Sequence, residues 1–379
     1  MGWGNVIGQQ RVKGLIRQIL STGKIPNAFL FEGPEGVGKD AMAIELAKVL
    51  NCEKGGQDSC GECASCKQVE TLRHPNVHLV FPLPRGENET KDDGPLDKLD
   101  EKTMKRVREE ISLKAQDPYH RISVPKAQVI KISSIREVIR EDSLSLYQHG
   151  TRVVIVMQAE EVGTESANAL LKVLEEPSKG SLFILSTSKP SSLLPTIASR
   201  CQSIRFDLLS EKEIAGELVS RHGLDASDAK LKARLASGSY SKAVELLEAN
   251  TLEIRDEALE ILRDVVMNNY SMFASRAAKA LESKDVLKVE ALFKMLQIWL
   301  RDVAVMHFGS PGDVINQDKI DVLGKMVASF DTEHLIEAAN SVDGAISQIY
   351  NNVNLGLLFV NLMLNLSGLL NKKKEARHV

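Results

Sequence analysis

The spacing of apolar residues changes character at about Phe206. Before that point, short apolar runs alternate with segments whose apolar residues recur every three or four positions. The runs are Ala28–Glu32, His74–Phe81, Val153–Val156, Leu182–Thr187 and Ser203–Phe206. These segments read as strands, and the continuous apolar run Val153–Val156 is that expected of a central strand in a parallel sheet. Before and between them, helices are predicted within Val6–Thr22 after Ile7-Gly8-Gln9 (Val12, Leu15, Ile16 and Ile19 on one face), over Asp40–Leu50 and within Ile130–Asp142 (Ile135, Val138 and Ile139). A further helix is predicted over Thr164–Glu176, with Thr164 as N-cap and Pro177 just after its end. This alternation is that of a parallel α/β domain. Beyond Phe206 no strand pattern survives. Ser210–Glu248 reads as short helices, one beginning at Gly238–Ala243, and from Asn250 to Leu370 helix follows helix, as in a bundle. One stretch does not fit: from Arg85 to about Lys126 the chain is polar and densely charged. A helix is predicted over Glu101–Ala115 without a marked apolar stripe, so the stretch is expected to be an insertion on the surface.

Between the first strand and the helix that follows lies Gly33-Pro-Glu-Gly-Val-Gly-Lys-Asp40. Its glycines, Gly33, Gly36 and Gly38, are spaced to turn backbone N–H groups onto phosphate oxygens, and Lys39 and the helix N-terminus add positive potential. The last position departs from a working P-loop, which places a Ser or Thr hydroxyl on magnesium there. Asp40 puts a carboxylate where phosphate charge would sit. The strand Val153–Val156 departs in the same direction. In an ATPase an acid pair closes this strand, whereas here it runs into Met157 and Gln158. Glu160 and Glu161 come later, on a loop or first helical turn, and Glu160 stands as the candidate substitute acid. A phosphate cradle whose nucleotide occupancy is open, and by which ATP–Mg is not expected to be hydrolysed, is the reading of these residues.

Four of the five cysteines fall at Cys52, Cys60, Cys63 and Cys66. Two overlapping C-x-x-C steps with a fourth sulfur close by form a soft, tetrahedral set suited to structural Zn²⁺, with no open position for catalysis. A redox pair or loosely scattered thiols are the alternatives. His74, His78 and His120 read as core or surface histidines rather than ligands, because the sulfurs complete a set.

The net charge of −3 argues against a body coated for nucleic acid, without excluding a local contact. Met1-Gly2 leads directly into a helix pattern, so no leader is expected, and Val6 stands where a myristoylation signal wants Ser or Thr. In the apolar run Val353–Leu370, Asn354, Asn361 and Asn365 lie along one side, which suits a buried bundle helix rather than a membrane span. A cytoplasmic location and no membrane partner are expected. Lys372–Lys374 read as a solvated tail.

Ile7-Gly8-Gln9, the loop Gly33–Lys39, the cysteine module, Asn168–Pro177 and Ser199-Arg200-Cys201 occur in that order. Together they resemble the bacterial DNA polymerase III clamp-loader subunits of the AAA+ family, in detail over residues 1 to about 250 and in helical character beyond. The resemblance implies an α/β AAA+ core over 1–207, with a zinc module at 52–66 and the polar insertion at about 85–126. A helical lid over 208–249 and an all-α collar over 250–379 would complete the chain. Within the family, motor subunits carry Ser or Thr after the P-loop lysine, an acid pair on the strand and an arginine in the lid, where this chain has Asp40, Met157-Gln158 and Ser241. The resemblance therefore implies a subunit that does not hydrolyse ATP and supplies Arg200 in trans to a neighbour's ATP. Its implied partners are gamma/tau-type and delta-type subunits, the sliding clamp and primer–template DNA. By the same resemblance Lys242 would be a displaced phosphate contact; by its position it is a solvated helix lysine. An ATP-hydrolysing motor subunit, and a zinc-dependent nucleic-acid module with a decayed NTPase fold, are the competing readings.

Overall fold

A computed structural model of the chain describes residues 3–90, 93–144, 150–248, 251–282, 286–330, 332–349 and 353–371. The expected tail at Lys372–Lys374 lies outside them. The chain divides into two compact units, Met1–Glu245 and Leu246–Val379.

In the first unit, helix α1 (Gln10–Thr22) precedes strand β1 (Ala28–Glu32), which feeds the P-loop and helix α2 (Lys39–Leu50). Then come α3 (Ala64–Glu70), β2 (Val77–Val80), α4 (Glu101–Gln116), α5 (Ile132–Asp142) and β3 (Arg152–Val156). They are followed by α6 (Thr164–Glu175), β4 (Ser181–Thr187), α7 (Pro195–Ala198) and β5 (Gln202–Arg205). Helices α8 (Glu211–His222), α9 (Ala226–Leu235) and α10 (Tyr240–Glu248) follow. The five strands form one sheet in the order β2-β3-β4-β1-β5, every pair parallel. β3 and β4 are buried along their whole lengths, as their unbroken apolar runs predict, whereas edge strand β5 buries Ile204 alone. One face packs Leu30, Val154, Phe183 and Leu185 against Ile135 and Val138 of α5 and Leu170, Val173 and Leu174 of α6. On α2 every residue from Ala41 to Val49 is buried. The P-loop thus leaves the sheet at the carboxyl end of β1, between β4 and β5, where open parallel sheets place ligands.

Two expectations for this unit need correction. Thr164 is the first residue of α6, not its cap; Gly163, in extended conformation, holds that position. More consequentially, the polar stretch 85–126 is not simply laid on the surface. α4 buries Val107, Glu110 and Lys114 along one face. Two of these are ionisable, so no apolar stripe marked it.

The second unit is helical: α11 (Thr251–Met267), α12 (Tyr270–Glu282), α13 (Val286–Phe308), α14 (Ile320–Ser329), α15 (Leu335–Gln348) and α16 (Leu355–Leu370). Trp299 of α13 is fully buried, its indole N–H donating to the Arg255 carbonyl at 3.1 Å. Buried Asp302 accepts the backbone N–H groups of Ile315 (2.9 Å) and Asn316 (2.8 Å), fixing the chain after α13. The Val353–Leu370 run is not buried all round. α16 packs Leu358, Phe359, Leu362, Met363 and Leu366 inward, while the asparagine side carries Leu357 and Leu364 in the open. No helix among the described residues is long and apolar enough to cross a membrane.

Candidate functional site: the P-loop, the cysteine cluster and Arg200

The P-loop has the backbone its glycines imply. Gly33 (φ 149°) lies so close to β5 that a Cβ there would stand 2.5 Å from the Phe206 carbonyl oxygen. Gly38 (φ 99°) forms the N-cap of α2, and a Cβ there would meet the Tyr119 hydroxyl at 2.6 Å. Gln9, itself left-handed (φ 52°), ties the loop down by donating to the carbonyls of Val37 (3.2 Å) and Asp207 (2.7 Å). Lys39 turns back on the loop and donates to the carbonyls of Gly33 and Pro34. Burial lowers its pKa against the pull of Asp40, Glu160 and Glu35.

Asp40 does not face a phosphate site as a bare charge. Its Oδ2 accepts from Lys114 Nζ at 2.7 Å and its Oδ1 from Ser186 Oγ at 2.6 Å. Burial by itself would raise this carboxyl; the Lys114 ammonium, the two hydrogen bonds and Lys39 outweigh it and hold the pKa below the usual carboxylate range. Lys114, 1% exposed, also donates to the His120 carbonyl at 2.7 Å. It comes from the polar stretch, and no sequence reading marked it. The other departures from an ATPase pattern lead to the same segment. Gln158 (φ 54°), just past β3, donates to the Ile122 carbonyl at 3.0 Å and accepts from Arg121 at 3.1 Å. Ser241 at the start of α10 donates to the Tyr119 carbonyl at 2.8 Å. Tyr119 lies among three walls. Its hydroxyl accepts the Ile7 N–H at 2.7 Å and borders Gly38, and its ring meets that of Tyr240 edge-on with centroids 4.9 Å apart. The cavity left among Lys39, Asp40, Lys114, Tyr119, Glu160 and Ser241 is about 60 Å³, far below the 300–1,000 Å³ of ordinary ligand sites. Glu160 reaches this cavity from the turn Ala159–Glu161, its Oε1 accepting from Ser188 Oγ at 2.8 Å. Lys242 is exposed.

Cys52, Cys60, Cys63 and Cys66 converge, with all four sulfurs within 4.8 Å of one another. Cys60 and Cys66 Sγ are 3.9 Å apart, close to the ~3.8 Å edge of a tetrahedron with Zn–S bonds of about 2.3 Å. Backbone N–H groups already point at the sulfurs: Cys60 to Cys52, Glu62 and Cys63 to Cys60, and Cys66 to Cys63. The N–H groups of Glu62 and Cys63 lower Cys60 to about 6, favouring its thiolate, while burial raises Cys66 to about 12. The donor set fits zinc. Ser59 hydroxyl donates to Glu45 of α2 (2.7 Å), and Ser65 hydroxyl to the Asn51 carbonyl, so the module is tied to the P-loop helix. The three histidines are not among these ligands: His74 pairs with Ser65, His78 with Glu141, and His120 with Glu110.

Arg200 follows α7 and lies outside the P-loop cavity. Its Nε donates to Glu175 Oε1 at 2.8 Å and one terminal nitrogen to the Thr196 carbonyl at 2.9 Å; the other pairs with Glu175. About a third of the side chain is exposed.

Comparison with known proteins places these features in a family. The DNA polymerase III subunit delta' of Bacillus subtilis is 28% identical over 367 residues, covering 94% of this chain and 96% of that protein. The subunit tau of the same organism is 26% identical over 302 residues, 77% of this chain, which spans under half (46%) of tau. A DNA polymerase III gamma subunit-related protein of Thermotoga maritima aligns with a TM-score of 0.44 at 15% identity, over 94% of this chain and 98% of that one. Residues 8–210 match the profile of the DNA polymerase III delta subunit, and residues 249–368 that of its C-terminal part. The chain belongs to the DNA polymerase III delta subunit family.

Proposed function

We propose that the chain is a delta-prime-type, non-hydrolysing subunit of the replicative clamp loader, acting in the cytoplasm. It joins gamma/tau-type and delta-type subunits in an ATP-driven AAA+ pentamer that loads the sliding clamp onto primer–template DNA. Residues 1–207 serve as its core, 208–249 as the lid and 250–379 as the collar that holds the ring together. The observation that carries this reading is the fate of the P-loop. Asp40, Gln158 and Ser241, at the positions where motors place a hydroxyl, an acid and an arginine, are each hydrogen-bonded within the chain. The likeness to subunit delta' along nearly the whole chain supports the same assignment.

Arg200 is the residue through which the chain takes part in hydrolysis. Its guanidinium is always charged and lies on the surface, so in a ring it meets the ATP of the next subunit and stabilises charge spreading over the transferred phosphoryl oxygens. Cys52, Cys60, Cys63 and Cys66 hold a structural zinc ion, which cross-links the loop 52–66 beside α2. The test is reconstitution: adding the chain to the remaining subunits should restore clamp loading on primed DNA, and it should carry one zinc per chain. Clamp loading that is unaffected by leaving the chain out would overturn the assignment.

A further inference from the structure

The polar stretch 85–126 has no part in the roles above, yet it walls a cavity of about 810 Å³ that shares no lining residue with the P-loop cavity. That volume lies within the ~300–1,000 Å³ of ordinary ligand sites. One wall is the chain around Arg85, a second is the start of α4 at Lys102 and Arg106, and a third is the turn at Lys126. We propose that this cavity binds an anion of linked phosphates, held by Arg85, Lys102 and Lys126. Two sources carry that chemistry: a free polyphosphate and the phosphodiester backbone of a nucleic-acid strand.

Three observations support it. First, the walls are fixed from within. Gly86 crosses the chain at Lys98 so closely that a Cβ there would stand 2.3 Å from the Lys98 carbonyl oxygen. Glu89 accepts the Gly86 N–H at 2.7 Å and pairs with Lys131 at 2.7 Å, both side chains of the pair being buried. Lys131 also donates to the Pro95 carbonyl at 3.0 Å, so both loop segments are fastened to the start of α5. Second, the charges lining the cavity are unevenly committed. Six are basic and four acidic. Asp97 accepts the Gly94 N–H at 2.7 Å, Asp100 caps α4 by accepting the Thr103 N–H at 2.7 Å, and Glu109 pairs with Arg106 at 3.7 Å. Among the described residues, Arg85, Lys102 and Lys126 are exposed and have no carboxylate partner, which leaves Glu87 against three cations. Like charges converging on one concavity raise the potential that an anion meets there. Third, Lys126 is held in the left-handed region (φ 64°), in a turn closed by the Ala127 N–H and the Val124 carbonyl at 3.1 Å. That conformation is uncommon outside glycine, and it sets a lysine on the rim. The apolar lining is Pro84, Leu99 and Pro125, with no aromatic ring among the described residues. A base has nothing to stack on, so recognition is of phosphate alone.

The test is equilibrium binding of two probes to the full chain: inorganic tripolyphosphate by calorimetry, and a fluorescein-labelled oligothymidylate strand by anisotropy over a range of salt. The wild type should bind at least one of them saturably below about 1 mM. Arg85→Ala/Lys102→Ala/Lys126→Ala should weaken that binding about tenfold or more. Removing three exposed lysines elsewhere, in Lys24→Ala/Lys212→Ala/Lys230→Ala, should change it by no more than about twofold, because charges remote from the cavity are screened. The probes separate the two sources. If a strand is the ligand, its log affinity should fall against log salt with a slope of about −2, as for three phosphates of a single strand, and tripolyphosphate should compete weakly. If a free polyphosphate is the ligand, tripolyphosphate binds and the strand does not displace it. No saturable binding of either probe would overturn the proposal, as would equal losses in the two triple variants. So would an Arg85→Ala/Lys102→Ala/Lys126→Ala chain that melts cooperatively and binds as the wild type. Should that variant not fold, Lys102→Glu alone is judged by the same rule. Every outcome leaves the role of Arg200 untouched, since Arg200 does not line this cavity.

Discussion

The P-loop cavity and the surface around Arg200 both hold cations suited to phosphate, and they dispose of them in opposite ways. In the cavity, Lys39 and Lys114 are buried and their charge is met by carbonyls and by Asp40. At Arg200 the guanidinium is partly exposed and its partner Glu175 is itself half exposed. A buried pair is held by the cost of leaving either charge alone, whereas an exposed pair is worth little and yields to a competing anion. Under the function proposed above, that difference would let one chain keep the form of a nucleotide-binding fold while acting on a neighbour's ATP through Arg200.

The comparison is broken most severely from the buried side. Lys114→Ala would leave Asp40 beside an unfilled space, without its ion-pair partner and with only the Ser186 hydrogen bond and the nearby Lys39 charge to answer it. It should cost about 3 kcal/mol in denaturant unfolding, while adding Asp40→Ala should recover part of that loss. Equal losses in the single and double variants would mean that the pair is incidental. Next in size, Arg200→Ala should lower the ATPase of the assembled loader about tenfold or more, with the unfolding midpoint of the isolated chain unchanged. An unaltered ATPase would remove its role in trans.

The pH dependence sharpens the contrast. Asp40 has a depressed pKa in the folded chain, so its contribution is complete above its unfolded value of about 3.9 and is lost as pH falls through the lower folded value. The stability gap between wild type and Asp40→Asn should therefore be largest near neutrality and shrink in acid below about pH 3.9. A gap that widens in acid would contradict the ion pair. The smallest effect belongs to Glu175→Gln, which should change stability by less than about 1 kcal/mol, because the Arg200 pair is exposed and retains its Thr196 contact.

Local rules made the outline of the P-loop region legible, whereas Arg200 was marked by the family resemblance alone. Glycine spacing announced the loop, unbroken apolar runs announced the buried strands, and two C-x-x-C steps announced sulfurs that do converge. The departures at Asp40 and Gln158 were visible too, but not what answers them. Lys114 lies 74 residues from Asp40, and Tyr119 lies 112 from Ile7. The buried face of α4 is Val107, Glu110 and Lys114, whose polar members are buried because Asp40, Arg106, His120 and Ser123 satisfy them. A hydrophobic pattern cannot report a face buried by pairing, so the segment read as surface. α16 misled in the opposite sense: its apolar run was continuous, yet Leu357 and Leu364 stay exposed with the asparagines.

The measurement that bears most directly on this division of labour is the ATPase of the loader reconstituted with Lys39→Ala or with Arg200→Ala in this chain. Removing its lysine disables a working P-loop. Lys39→Ala should leave loader turnover unchanged while Arg200→Ala depresses it. The reverse result, turnover lost with Lys39 and kept without Arg200, would mean that this chain uses its own P-loop and would contradict the account.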